Sequence, residues 1–248
     1  MIYTFPPNTL FYRVTTVGRT WRDVLSGRGA LYLSPSGNRY NVVLQQASYV
    51  CDDLEVAVAE FGYYAARDWH ERLGNHHILP VPGSLQSDYL LWQFTLQAPV
   101  YAIEVEIAPG TAALLPPYGM LNPGRNYLAT QHLANHAVNF PAAGHPTPHP
   151  ALKVPAVRSR HAAASTESTY VLYRIPGRHG SPRGTLLARW KLRLEFLDLH
   201  GNPVSAASRR VNWAEPRFML LASPGAAAVA PPAPYALGAW RPLRINHV

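Results

Sequence analysis

Apolar residues recur at Leu54, Ala57, Val58, Phe61, Ala65 and Trp69, the spacing of one face of a helix. Asp52-Asp53-Leu54-Glu55 has the spacing of a capping box, with Asp in the place of Ser or Thr, and predicts where that helix starts. Elsewhere the period falls to two. Ala188–Leu197 alternates Trp190, Leu192, Leu194 and Phe196 with Arg189, Lys191, Arg193 and Glu195, a strand with one apolar and one charged face. Val100–Ala108 sets Tyr101, Ile103, Val105 and Ile107 on one face and Glu104 and Glu106 on the other. Leu10–Val14, Ala30–Leu33, Tyr89–Gln97 and Thr169–Ile175 read as further strands, and Tyr127–Val138 as a second helix. Gly18–Gly29 reads as a loop, Ser34-Pro35-Ser36-Gly37-Asn38 as a turn, and residues 139–150, with four prolines, as another loop. Ala222–Pro234 is Ala/Pro-rich and predicts a surface excursion. Helices and strands mix without a βαβ rhythm, which predicts an α+β fold of mostly antiparallel sheets in a single domain spanning residues 1–248.

Composition narrows the class. The 248 residues are 48% hydrophobic and 15% charged, so the chain can bury a sizeable core. Its 24 prolines disfavour a helical bundle. No apolar run has the length of a membrane span and residues 1–10 lack the pattern of a signal peptide, which predicts a cytoplasmic protein with no membrane contact. One cysteine, Cys51, supports neither an internal disulfide nor a Cys-based zinc site and reads as a small packed residue. The net charge of +8 is unevenly placed: residues 1–150 carry 8 Arg/Lys and 10 Asp/Glu, residues 151–248 carry 14 and 4. The basic C-terminal region has no run of five or six consecutive cations, and its alternation with apolar residues is that of a solvated strand face, so nucleic acid is not an expected partner.

Most catalytic classes lack their motif. There is neither GxxxxGK[ST] nor GxGxxG, no GxSxG elbow and no HExxH. His132 and His136 are spaced i, i+4 but have no third ligand or activating carboxylate beside them, so no metal is expected. What remains is a polar set within the first sixty positions: Arg13 at a strand end, Arg39 after a turn, Tyr49 before the capped helix and Glu60 within it. Glu60 falls about 120° from the centre of the helix's apolar face, at its margin, where a solvated carboxylate or one facing a cleft would both sit.

Phe11-Tyr12-Arg13-Val14, Ser26-Gly27-Arg28-Gly29-Ala30, Asn38-Arg39-Tyr40-Asn41, and Tyr49 eleven residues before Glu60 in Ala57-Val58-Ala59-Glu60 together resemble the RES domain family, named for its Arg, Glu and Ser. Tyr127–Ala134 and Lys153-Val154-Pro155-Ala156-Val157-Arg158 resemble its second region, so the likeness covers roughly residues 10–160, and residues 165–248 form the basic strand region beyond it. The resemblance implies a clefted fold like that of ADP-ribosyltransferases and a bacterial toxin of a toxin–antitoxin pair. It implies NAD as substrate, cleaved at the nicotinamide–ribose bond with ADP-ribose passed to phosphate or water, and a cognate protein antitoxin as partner. By the same resemblance Arg13 and Arg39 bind phosphate groups, Arg28 joins them in holding NAD, Tyr49 lines the nicotinamide-ribose pocket and Glu60 orients the ribose. The sequence departs from the family at its serine, expected after Pro155, where this chain has Ala156; Ser159 follows three residues on.

The chemistry asks for these residue types. Breaking the ribose–nicotinamide bond builds positive charge on the sugar, so a carboxylate there stabilises the transition state more than the ground state. Arginines grip a pyrophosphate through forked hydrogen bonds and an aromatic ring excludes water. Two other readings remain: transfer of ADP-ribose to a protein, and a non-catalytic binding protein that keeps the fold, which the missing serine favours. Self-association is left open.

Overall fold

The computed structural model describes residues 2–6, 8–26, 40, 46–62, 87–97, 100–104, 130–132, 135, 150–156, 168–174, 183–195, 197, 216–223, 225 and 229–244. Within them the strands are β1 (Ile2–Thr4), β2 (Phe11–Thr16), β3 (Gln46–Cys51), β4 (Ser87–Leu96), β5 (Tyr101–Glu104), β6 (Pro150–Pro155), β7 (Ser168–Arg174), β8 (Gly184–Glu195), β9 (Arg217–Ala222) and β10 (Trp240–Pro242). Helix α1 is Trp21–Ser26, and α2 covers residues 54–62. Residues 130–132 and 135 are also helical, inside the segment expected to be a helix.

All ten strands join one sheet in the order β1-β5-β6-β7-β3-β2-β4-β8-β9-β10. Its strand pairs are antiparallel except β5 with β6. The expected α+β, largely antiparallel class describes it. At the centre the pairing thins. Six residue pairs join β2 to β4 and six join β3 to β7, but β2 meets β3 only at Tyr12↔Cys51. The sheet is therefore two five-stranded halves that part from one another beyond this single pair.

Each face of the sheet has its own core, because successive side chains on a strand point to opposite sides. On one face Phe11, Val50, Trp92, Phe94, Tyr170 and Leu172 pack with Val24 and Leu25 of α1. Trp21 of α1 lies against Trp92 and Phe94. A β-carbon on Gly184 would stand 2.7 Å from Leu25 Cδ1 and 2.9 Å from the Thr95 carbonyl oxygen, so this glycine lets the helix lie close to β8. On the other face Tyr12, Val14, Cys51, Leu91, Trp190, Leu192 and Leu194 pack with Leu54, Ala57 and Val58 of α2.

Several expectations are corrected. Gly18–Gly29 is not all loop, since α1 forms within it. Asp23 closes the start of that helix by reaching back: the Thr20 amide and hydroxyl both donate to Asp23 Oδ2, at 2.9 and 2.8 Å, while the Asp23 amide donates to the Thr20 carbonyl at 2.9 Å. The cap of α2 lies one residue later than the sequence box. Asp53 accepts from the Val56 amide at 3.0 Å, while Asp52 accepts from the Tyr170 hydroxyl at 2.7 Å. Burial raises the Asp52 pKa, against the lowering effect of the Tyr170 bond. In β5 the inward residue is Ala102, fully buried, and not Ile103; Glu104, on the same side as Ala102, meets Lys153 of β6 at 2.6 Å. Pro150 opens strand β6 and does not close a loop. The expected strand Ala30–Leu33, the turn at Ser34–Asn38 and the far end of the long helix, Ala65 and Trp69, lie outside the described residues.

The charged face of β8 has the predicted character. Trp190, Leu192 and Leu194 are buried, while Lys191 and Arg193 reach Asp88 at 2.6 and 2.9 Å on the opposite side. Arg217 pairs with Glu195 there and its guanidinium lies 4.6 Å from the Trp240 ring centre. Residues 229–234 run along the surface, as the Ala/Pro composition predicted, with the Val229 carbonyl accepting from the buried Trp190 indole at 2.8 Å.

Candidate functional site

Arg13 stands where the two halves of the sheet part, one residue past the Tyr12↔Cys51 pair. Backbone pairing between β2 and β3 stops there and side chains take over. Arg13 Nη1 donates to the Val24 carbonyl of α1 and to the Ser48 hydroxyl of β3. Ser48 Oγ in turn donates to the same Val24 carbonyl at 2.6 Å. Val24 can accept both because α1 is six residues long, and the last four carbonyls of a helix have no partner within it.

Arg13 is buried, 9% exposed, yet forms no ion pair with a described carboxylate. Among the described residues its Nε and Nη2 meet no hydrogen-bond partner. Burial, and next the charge of Arg19, press its pKa down to about 10, against the opposing influence of Tyr49 and Asp23. A buried cation without a counter-ion is costly unless an anion arrives to pair with it. Its free Nε/Nη2 edge is the fork that fits two oxygens of a phosphate or carboxylate.

Tyr49 is half-buried on β3, and its hydroxyl accepts from the Tyr40 amide at 3.0 Å. The Tyr173 hydroxyl, its pKa raised by burial and by Tyr49 and Tyr40, donates to the Tyr40 carbonyl at 2.7 Å. Tyr40 is thereby held at both its amide and its carbonyl. Glu60 is half-buried on α2, whose other residues from Val56 to Ala59 are buried. The Glu60 charge bears on Cys51: burial first, then Glu60, pushes the Cys51 thiol well up. Cys51 itself is core, as expected, with Sγ 3.7 Å from Thr169 Oγ1.

Arg13 and Tyr49 are thus electrostatic neighbours, whereas Glu60, a neighbour of Cys51, belongs to α2 on the opposite face of the sheet from α1 and the Arg13 guanidinium. Arg28, Arg39 and Ser159 lie outside the described residues, as does His136; His132 is exposed. Ala156 is fully buried in the apolar cluster that contains Leu54 and Val58 of α2, where it packs and presents nothing polar. Among the described residues no group of three His, Cys, Asp or Glu side chains could hold a metal ion, and no helix is long and apolar enough to cross a membrane.

The RES domain matches residues 10–195, three quarters of the sequence. The chain belongs to the RES domain family. Among solved structures, a chain of the M. tuberculosis MbcT-MbcA toxin-antitoxin complex is similar at 17% identity and a TM-score of 0.44, covering 72% of this chain and 84% of that one. No curated protein matches.

Around Arg13 the geometry adds residues that the sequence reading did not single out. Ser48 and the Val24 carbonyl hold Arg13. Tyr12, buried beside it on the opposite face, accepts from Gln93 Nε2 at 2.9 Å. The Thr20-Trp21-Arg22-Asp23 box was the one local signal for this arrangement, since it starts the helix that supplies Val24.

Proposed function

We propose that this RES-family chain is a toxin that cleaves NAD at the nicotinamide–ribose bond, passes ADP-ribose to phosphate or water, and is restrained by a cognate protein antitoxin. One observation supports this reading above the others: a buried guanidinium that pairs with no described carboxylate, on a residue next to the line where the sheet parts. That is the electrostatic demand of a diphosphate, which Arg13 meets with two parallel N–H donors.

In the reaction the bond between the ribose C1 and the nicotinamide nitrogen breaks and its electron pair leaves with nicotinamide. An oxygen of phosphate or water forms the new bond to C1, and the attacking water or phosphate gives up a proton. Arg13 holds the diphosphate in ground and transition state alike. Glu60 places negative charge beside the sugar, where positive charge develops, and so acts mainly on the rate. Tyr49 contributes an aromatic wall to the nicotinamide-ribose pocket. No step calls for a metal.

Purified protein incubated with NAD, with and without phosphate, tests the proposal by release of nicotinamide. Retention of labelled ADP-ribose on precipitated protein would replace the acceptor with a protein side chain. No nicotinamide release under any condition, including added cellular protein, would leave a binding protein that keeps the fold.

A further inference from the structure

We propose that Ser48 is a positioning residue for Arg13: it occupies one amino group of the guanidinium so that the Nε/Nη2 edge is the one presented to a diphosphate. The inference rests on the anion-binding part of the function proposed above. Its basis is the proton count at the three groups. Ser48 has one hydroxyl proton, and it goes to the Val24 carbonyl at 2.6 Å. Toward Arg13 the oxygen can therefore only accept. Arg13 Nη1 has two protons, and they go to Val24 and Ser48. With Nη1 fully used, the donors left are Nε–H and the two on Nη2, and of these Nε–H and one Nη2–H run parallel as a side-on fork.

The contact is built into the frame. Ser48 has no exposed surface, and its strand is held in register with β7 from Gln46 to Cys51. The triangle joins three elements, β2, α1 and β3, at the place where the backbone of β2 no longer pairs with β3. Without the Ser48 oxygen, the second Nη1 proton loses its acceptor. The guanidinium can then turn about its last bonds to seek another, and the fork is no longer fixed.

The test is a double-substitution cycle on the full chain, read as the dissociation constant for ADP and for inorganic pyrophosphate, beside thermal melting. Ser48→Ala should weaken both ligands about five- to tenfold, the equilibrium worth of one hydrogen bond. In an Arg13→Met background the same change should have no effect on binding, since there is no guanidinium to position. In turnover, KM for NAD should rise more than kcat falls. If Ser48→Ala does not fold, Ser48→Cys, which keeps the volume and weakens the acceptor, goes through the same cycle. Equal losses in the presence and absence of Arg13 would show that Ser48 is merely structural and overturn the proposal. So would wild-type protein that binds neither ligand. Wild type that binds ADP with this coupling but releases no nicotinamide upholds the role of Ser48 while refuting NAD cleavage.

Discussion

Replacing Arg13 by methionine should leave the fold nearly as stable and remove most of the affinity for a diphosphate. Methionine keeps an unbranched stem in the buried site and deletes the charge. Burial lowers the Arg13 pKa from its ordinary value to about 10, which corresponds to about 3 kcal/mol against the charged form at neutral pH. Against this stand two hydrogen bonds from a charged donor, to Val24 and Ser48, each contributing about 1.5–3 kcal/mol. The terms are of the same size and opposite sign. The Val24 carbonyl also keeps a donor after the substitution, because Ser48 bonds it directly. The net change in unfolding free energy should therefore stay within about 3 kcal/mol. Binding has no such compensation: losing a bidentate charged contact should weaken ADP at least about a hundredfold, or about 2.7 kcal/mol. Urea denaturation and calorimetric titration with ADP measure the two quantities. A stability loss above about 4 kcal/mol with a proportionate fall in binding would mean that Arg13 is retained as a structural brace, and unchanged ADP affinity in a folded variant would remove it from the site.

Glu60→Gln should reduce NAD turnover about a hundredfold, the effect of one preorganised charge, while melting stays near wild type because the Asp53 cap and the buried Val56–Ala59 stretch are untouched; turnover equal to wild type would make Glu60 a bystander. Asp53→Ala should cost about 1 kcal/mol of stability by removing the cap, measured in urea, and Asp52→Ala should leave the cap bond intact; a larger loss of helix at the second site would restore the sequence-based placement of the box. Burial raises the Asp88 pKa, but the bonds from Arg193 and Lys191 outweigh it and hold the carboxyl low. Its stabilising contribution is then fully present above about pH 4 and disappears as the pH falls through the depressed value. Asp88→Asn should melt earlier than wild type at neutral pH by no more than about 1 kcal/mol, with the two converging in acid.

What the sequence made legible follows from how each element is covered. β8 was readable because one face is solvated and the other buried, so its charges alternate with its core. β3 was not: Ala47, Ser48, Val50 and Cys51 are all buried, on both faces of a central strand, and a strand covered on both sides has no period of two. β9, Arg-Phe-Met-Leu-Leu-Ala, lacked a polar alternate for a related reason. α1 is too short for a helical period to show, and only its Thr20–Asp23 cap betrayed it. At the site, Arg13, Tyr49 and Glu60 could be named from residue type and order. The grip on Arg13 could not, because its members are 11 and 35 residues away along the chain and one of them is a backbone carbonyl.

The single pair between β2 and β3 has a topological consequence. In chain order the strands pass from one half of the sheet to the other between β1 and β2, β2 and β3, β3 and β4, β4 and β5, and β7 and β8. The halves are laced together by connections at a line where the hydrogen-bonded ladder itself contributes one rung. Such a seam can widen without the parts separating, much as a laced boot opens along its tongue. A rigid molecule that bridged it, gripped at Arg13 on one bank and against Tyr49 on the other, would act as a crosspiece that tightens the lacing. Slowed amide exchange of the residues flanking Tyr12 and Cys51 would register that tightening directly.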